Sequence, residues 1–272
     1  MILKKFRHIG FLGKLVMICL FALFVTSCKK DPVKKDTASG FKNFIPQKGY
    51  TYTYKFTGDE LENATLVKTV TGSKDSLGTK VYELQSTFTY EGEDLHFKNK
   101  IYDLGGFTIS TFYQFSEWDK FVKLLTTSVE EGGGQVLENK VTGVPYNLSI
   151  SNTPIVGSDL KFTGGPTQFY FKASVGTDNN AIIETKQTIT RHDGKATRKE
   201  TIETPAGKFK CTVWIYNIDS KIENYLNGNL TNTTITTDKI AVWTAPGIGD
   251  VLTITEGSDG GLSELTLFKI SK

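Results

Sequence analysis

Histidine, cysteine and methionine are all scarce in this chain, at three, three and two among 272 residues. So few imidazoles and thiols leave little for zinc ligation, for a thiol nucleophile or for histidine-driven acid–base chemistry. Proline is thin too, at seven residues. No apolar run approaches the ~20 residues that cross a bilayer as a helix. The longest, Leu15 to Val25, is nearer half that length, and Lys-rich polar sequence follows it at once.

The first 27 residues have the three zones of a secretory signal peptide: basic Lys4, Lys5, Arg7 and Lys14, then the apolar stretch, then small Thr26 and Ser27. The run Val25-Thr26-Ser27-Cys28 resembles the bacterial lipobox, whose small residues thread the peptidase and whose thiol accepts diacylglycerol. That likeness makes Cys28 the lipidation site and the membrane, through that lipid, the first partner. The signal holds four of the 32 basic residues and none of the 29 acidic ones, so the formal charge of +3 belongs to export. Without it the balance is 28 against 29. Nucleic acid is thereby excluded as a partner. Cys19 leaves with the signal and Cys28 carries lipid, so Cys211 has no partner for an intramolecular disulfide. Stability must come from a core.

Residues 28–42 read as the lipidated cysteine and a tether. Lys29 to Gly40 is polar, Lys-rich and free of aromatics, and reaches at most about 40 Å when extended. Residues 43–272 then form a β domain, as one unit or as two similar halves, about 43–140 and 150–272. The halves are hinted at by Pro46-x-x-Gly49 and Pro154-x-x-Gly157, each ahead of a strand-like run. Runs such as Tyr50–Phe56, Thr167–Ala173 and Phe209–Tyr216 alternate apolar and polar residues with the period of half-buried strands. About a dozen such runs predict a mostly β architecture: a large curved antiparallel sheet or half-barrel with at most one or two short helices. One helix is expected from Ser116 to Val129, with Trp118, Phe121, Val122, Leu125 and Val129 on one face and Gly132-Gly133-Gly134 ending it. Thr204-Pro205-Ala206-Gly207 predicts a tight hairpin, and Asp193-Gly194 and Pro246-Gly247 predict two further reversals.

Chemistry is hard to find. His192 falls in a predicted turn and reads as solvated. Asp94 and His96 share one strand face beside Glu91 and Glu93, which would allow a weak cation site but reads more simply as a charged strand edge. Gly132–Gly134 lacks the Lys and Ser/Thr of a phosphate loop and reads as a flexible connection. Thr177–Asn180 and Gly257–Gly261 lack the terminal Glu of a calcium loop and read as turns. Cys211, inside an alternating apolar run, reads as a buried inert thiol. The 18 Phe, 11 Tyr and 3 Trp read mainly as core, with a ligand groove the lesser reading. No catalytic residue, cofactor or metal is assigned, and the chain is expected not to be an enzyme.

Glu203-Thr-Pro-Ala-Gly-Lys-Phe-Lys-Cys-Thr-Val213, followed by Val242-Trp-Thr-Ala-Pro-Gly-Ile-Gly-Asp-Val251, is similar to a paired signature of Bacteroidetes-type envelope lipoproteins. Ile45-Pro46-Gln-Lys-Gly49 resembles the opening of the same family, so the likeness covers roughly residues 44–270. It implies an envelope address and an antiparallel domain without specifying an activity. In it Pro205, Gly207, Trp243, Pro246, Gly247 and Gly249 are expected to define the fold, because two unhindered glycines permit a tight corner over which Trp243 packs. Lys29 after the cysteine favours the outer membrane and leaves the choice of face open. Asp36-Thr37-Ala38 and Asp75-Ser76-Leu77 are similar to the short O-glycosylation motif of the same bacteria. The functional expectation is a non-enzymatic module that binds an envelope protein or scaffolds an assembly. The alternatives are a carrier of an apolar ligand such as lipid, and a glycan-binding or glycan-processing protein.

Overall fold

The computed structural model describes residues 40–58, 61, 63–90, 92–113, 126, 127, 129–176 and 181–272. Fifteen strands follow one another: β1 (Thr51–Thr57), β2 (Thr65–Ser76), β3 (Thr79–Tyr90), β4 (Glu93–Leu104) and β5 (Phe107–Phe112). Then come β6 (Gln135–Thr142), β7 (Tyr146–Ser151), β8 (Asp159–Thr163), β9 (Thr167–Val175) and β10 (Ala181–Arg191). The chain ends with β11 (Gly194–Thr204), β12 (Gly207–Leu226), β13 (Asn229–Ala245), β14 (Gly249–Glu256) and β15 (Leu262–Ser271). The protein is mostly β and antiparallel, as the alternation predicts: Tyr52, Tyr54 and Phe56 of β1 are buried between half-buried Thr and Lys.

The sheet curves through to closure. Its order is β11-β8-β7-β5-β4-β3-β2-β1-β15-β14-β13-β12, and β12 pairs back to β11, giving a twelve-stranded antiparallel barrel. Closure removes the barrel's exposed edges. The joint is uneven, because β8 meets β11 only through Gly194↔Leu160 and Lys195↔Asp159. The other three strands, β10-β9-β6, form a wing that branches from β12. Its outer strand, β6, carries exposed Gln135, Glu138, Asn139 and Lys140 and a register shift at Val136/Glu138, features that discourage further pairing.

The branch corrects one expectation. Asp193-Gly194 does not reverse the chain: β10 and β11 run in one direction along the 20-residue β12, pairing with Ile218–Leu226 and Gly207–Ile215 respectively. At the break the His192 amide donates to the Asn217 carbonyl at 3.0 Å, and the Asp193 carboxylate accepts the Phe162 amide at 2.8 Å. Gly194 is needed there, since a Cβ would lie 2.3 Å from the Ile215 carbonyl oxygen. The sequence signal marks a change of neighbour.

The hairpin at Pro205-Ala206 forms as predicted, with Thr204 paired to Gly207. Residues 126, 127 and 129–131 are helical, and Gly132, Gly133 and Gly134 end the helix by donating their amides to the carbonyls of Val129, Glu130 and Val129. That run is therefore a bonded helix terminus instead of a flexible connection. The rest of the predicted helix, Thr177–Asn180, Asp36–Ala38 and Cys28 lie outside the described residues. Ser76 and Leu77 stand exposed at the β2–β3 turn.

Ahead of β1, residues 41–48 close one end of the barrel. Phe44 is buried with Ile150, Leu160, Ala196 and Trp214, and its amide donates to Thr108 Oγ1 at 3.1 Å. The Gln47 amide donates to Tyr52 Oη at 2.8 Å, and the Gly247 amide to the Asn43 carbonyl at 2.8 Å.

Candidate binding cavity

Above this plug the barrel encloses a cavity of about 240 Å³. Strand alternation sends one set of side chains inward, and most of them are apolar. Phe44, Ile150, Leu160, Trp214 and Ile248 form the floor, and Leu66, Leu84, Phe97, Ile101, Leu148 and Val242 the wall. The wing contributes Val141, Phe169, Ile189 and Arg191. Outward positions carry the opposite chemistry, as with exposed Lys195, opposite Ile215, and Lys239, out of phase with lining Ile240 and Val242. A barrel that faces lipid has an apolar exterior around a polar lumen, the reverse of this arrangement.

Polar groups in the cavity are few and mostly committed. Lys68 Nζ meets Asp250 Oδ2 at 2.8 Å and lies 5.0 Å from the Tyr54 ring centroid. Tyr54 Oη donates to the Asp250 carbonyl at 2.9 Å, and Trp214 Nε1 to Thr244 Oγ1 at 2.9 Å. Arg191 donates to Thr167 Oγ1 at 3.0 Å with its guanidinium 3.6 Å over the Tyr146 ring. Tyr146 stacks on Phe112, and Tyr216 meets Phe162 edge to face. Burial pushes the phenols of Tyr54, Tyr146 and Tyr216 up, so all three are neutral donors at physiological pH. The hydroxyl of Thr253, which also lines the cavity, is buried with no hydrogen-bond partner among the described residues.

The residues singled out in the sequence fall elsewhere. Gly207 (φ +139°) follows the Pro205 hairpin. Trp243 is buried on the opposite strand face from cavity-lining Val242 and Thr244, and its Nε1 donates to Glu200 Oε1 at 2.6 Å. Pro246, Gly247 and Gly249 make the β13–β14 corner. A Cβ on Gly247 (φ +73°) would strike Phe41 at 2.5 Å, and one on Gly249 (φ +83°) would press on Phe44 and Pro46 at 3.3 Å. The corner thus grips the plug, which joins the second signature to the opening Ile45–Gly49 motif. Cys211 is buried beside them, its thiol pushed up to about 12 by burial and by Glu200.

His192 Nε2 pairs with Asp219 Oδ2 at 2.7 Å on the exposed surface. Asp94 and His96 bond Thr89 and Thr87 of the neighbouring strand, at 2.5 and 3.0 Å. Among the described residues no three His, Cys, Asp or Glu side chains come close enough to hold a metal ion. The sequence reading passed over Arg191, although the phase of Gln187, Ile189 and Arg191 in β10 places all three on the inward face.

Residues 157–259 match the family model described as DUF3108-like. No curated protein matches the chain. Among solved structures, a "putative lipoprotein" of Parabacteroides distasonis shares 17% identity with a TM-score of 0.54, over 87% of this chain and 100% of that one. A "putative exported protein with YmcC-like fold" of Bacteroides fragilis also shares 17% identity, with a TM-score of 0.49, over 85% and 99%. The first of these shares the fold.

Proposed function

We propose that this chain is a non-enzymatic envelope lipoprotein, exported by residues 1–27, anchored through lipid on Cys28 to the outer membrane, and carrying an apolar ligand inside residues 43–272. The observation that carries the reading is the cavity: a closed barrel with a plugged end has kept about 240 Å³ of its apolar interior unfilled. Protein interiors ordinarily pack to the density of organic crystals, and an apolar void forfeits dispersion contacts unless a ligand restores them. The carrier therefore takes precedence over the scaffold and glycan readings, which would rest on a filled interior or an exposed aromatic platform. The envelope address is supported by the signal, the lipobox and the likeness of 203–213 and 242–251 to envelope lipoproteins.

Two experiments test the proposal. Cys28→Ala should abolish incorporation of radiolabelled palmitate in the producing bacterium; label persisting on the variant overturns the anchor. Purified Cys28→Ala protein should enhance the fluorescence of a naphthylamine probe, and Leu84→Trp, which fills the cavity, should remove most of that signal. No enhancement in the parent, or an undiminished one in a folded Leu84→Trp variant, overturns the carrier.

A further inference from the structure

Two cations of the cavity lining have no carboxylate partner among the described residues: Lys100, which lies over the Tyr113 ring at 4.9 Å and out of phase with inward Asn99 and Ile101, and Arg191, which is in phase with inward Ile189. Lys68 is matched by Asp250 at 2.8 Å. Arg191 is half-buried in the wall, and among the described residues no carboxylate pairs with it. Its contacts are Thr167 Oγ1 and the face and hydroxyl of Tyr146, all neutral, which orient the guanidinium without cancelling its charge. A desolvated charge lacking a counter-ion is unfavourable, and a guanidinium is a rigid planar fork suited to two oxygens of one anion.

Position along the barrel adds a direction. Arg191 and Tyr146 belong to the end where β5 finishes and β7 begins, and Phe44, Ile150, Leu160 and Trp214 to the plugged end. The cavity thus has an unneutralised cation at one end, while at the plugged end an apolar floor lies beside the matched Lys68–Asp250 pair. An apolar cavity of about 150 Å³ takes up a molecule the size of benzene. The 240 Å³ found here suits one chain and not two.

We propose that the ligand is a single-chain amphiphile whose anionic head, a carboxylate or a phosphate, sits on Arg191 while its apolar chain runs along Trp214 and Leu160 toward Phe44. This rests on the carrier reading and names its cargo class. The test is calorimetric titration of the Cys28→Ala protein with octanoate, octyl phosphate and octanol, the anions below their micellar concentrations and the alcohol below its solubility limit. Hydrogen bonds to charged groups predict binding roughly tenfold to a hundredfold tighter for at least one anion than for the alcohol. Arg191→Met should remove that preference and leave octanol affinity within about twofold, which also reports that the barrel is intact. Arg191→Lys should keep part of the preference, because it retains a cation without the fork, and it carries the test where the Met variant does not fold. Preference for octanoate over octyl phosphate, or the reverse, identifies the head. Equal binding of anions and alcohol, or a preference that survives Arg191→Met, overturns the role of Arg191 and leaves the carrier standing. Binding of none of the three overturns both.

Discussion

Cys211 is where single-residue chemistry is most readily checked. Its thiol lies among Phe209, Val213 and Trp243, and burial raises it from 9.0 to about 12. A folded value above the unfolded one means that the thiol's contribution to stability is complete below pH 9 and lost as pH rises toward 12. Native Cys19→Ala/Cys28→Ala protein at pH 8 should leave a disulfide reagent unreacted, and one equivalent of thiol, that of Cys211, should appear on denaturation; prompt native reaction would contradict the burial. Asp238 behaves in the same sense, and again burial is the leading cause. Burial raises its carboxyl, opposed by the Ser258 amide and aided by Asp259. Its charged form opposes folding above the folded pKa, and the penalty fades as pH falls below the ordinary 3.8. Asp238→Asn should accordingly raise the melting temperature at pH 7, and the gain should shrink toward zero near pH 3.

At the scale of elements, the corners and the branch decide the shape. Gly247→Ala forces a side chain into the left-handed region and against Phe41, so a loss of about 1–2 kcal/mol is expected from the backbone alone. Adding Phe41→Ala should recover only the part due to collision, and denaturant melts of the two variants separate the contributions. Asp193→Ala should cost about 0.5–1.5 kcal/mol by removing the acceptor of the Phe162 amide, and should speed amide exchange at Phe162. Local chemistry explains which of these elements the sequence disclosed. Pro205 presets one turn dihedral and Gly207 permits another, so that hairpin was legible without knowledge of its neighbours. Asp193-Gly194 carries the same turn vocabulary, yet its meaning depends on Asn217 and Phe162, 24 and 31 positions away. The 20-residue β12 was equally hidden, because it is long for a strand and is assembled from two pairings that alternation alone cannot divide.

For the whole molecule, alternation revealed which side chains share a face but not that the face would close around a void. Inward aromatics such as Phe97, Phe112 and Phe169 read as core in the sequence, and the structure leaves space between them. Arg191 was passed over because a lone Arg at a strand end is ordinarily solvated; only the wing's fold over the barrel turns it inward. The packed sector provides the contrast. Leu265 is fully buried in one cluster with Tyr54, Phe56 and Leu267, paired across from Phe56, and Leu265→Ala should cost about 2–5 kcal/mol in chemical denaturation.

The plug has a mechanical consequence. A body held by a leash transmits any pull along the shortest covalent path, and here that path runs from Gly40 into Phe44 before it reaches a paired strand. In a barrel leashed through Cys28, drag loads the bonds of Phe44 to Thr108 and of Asn43 to Gly247 ahead of the ladder. On the proposed anchor and cargo, the part that yields first under tension would be the floor of the cavity, so stretching the leash would also empty the barrel.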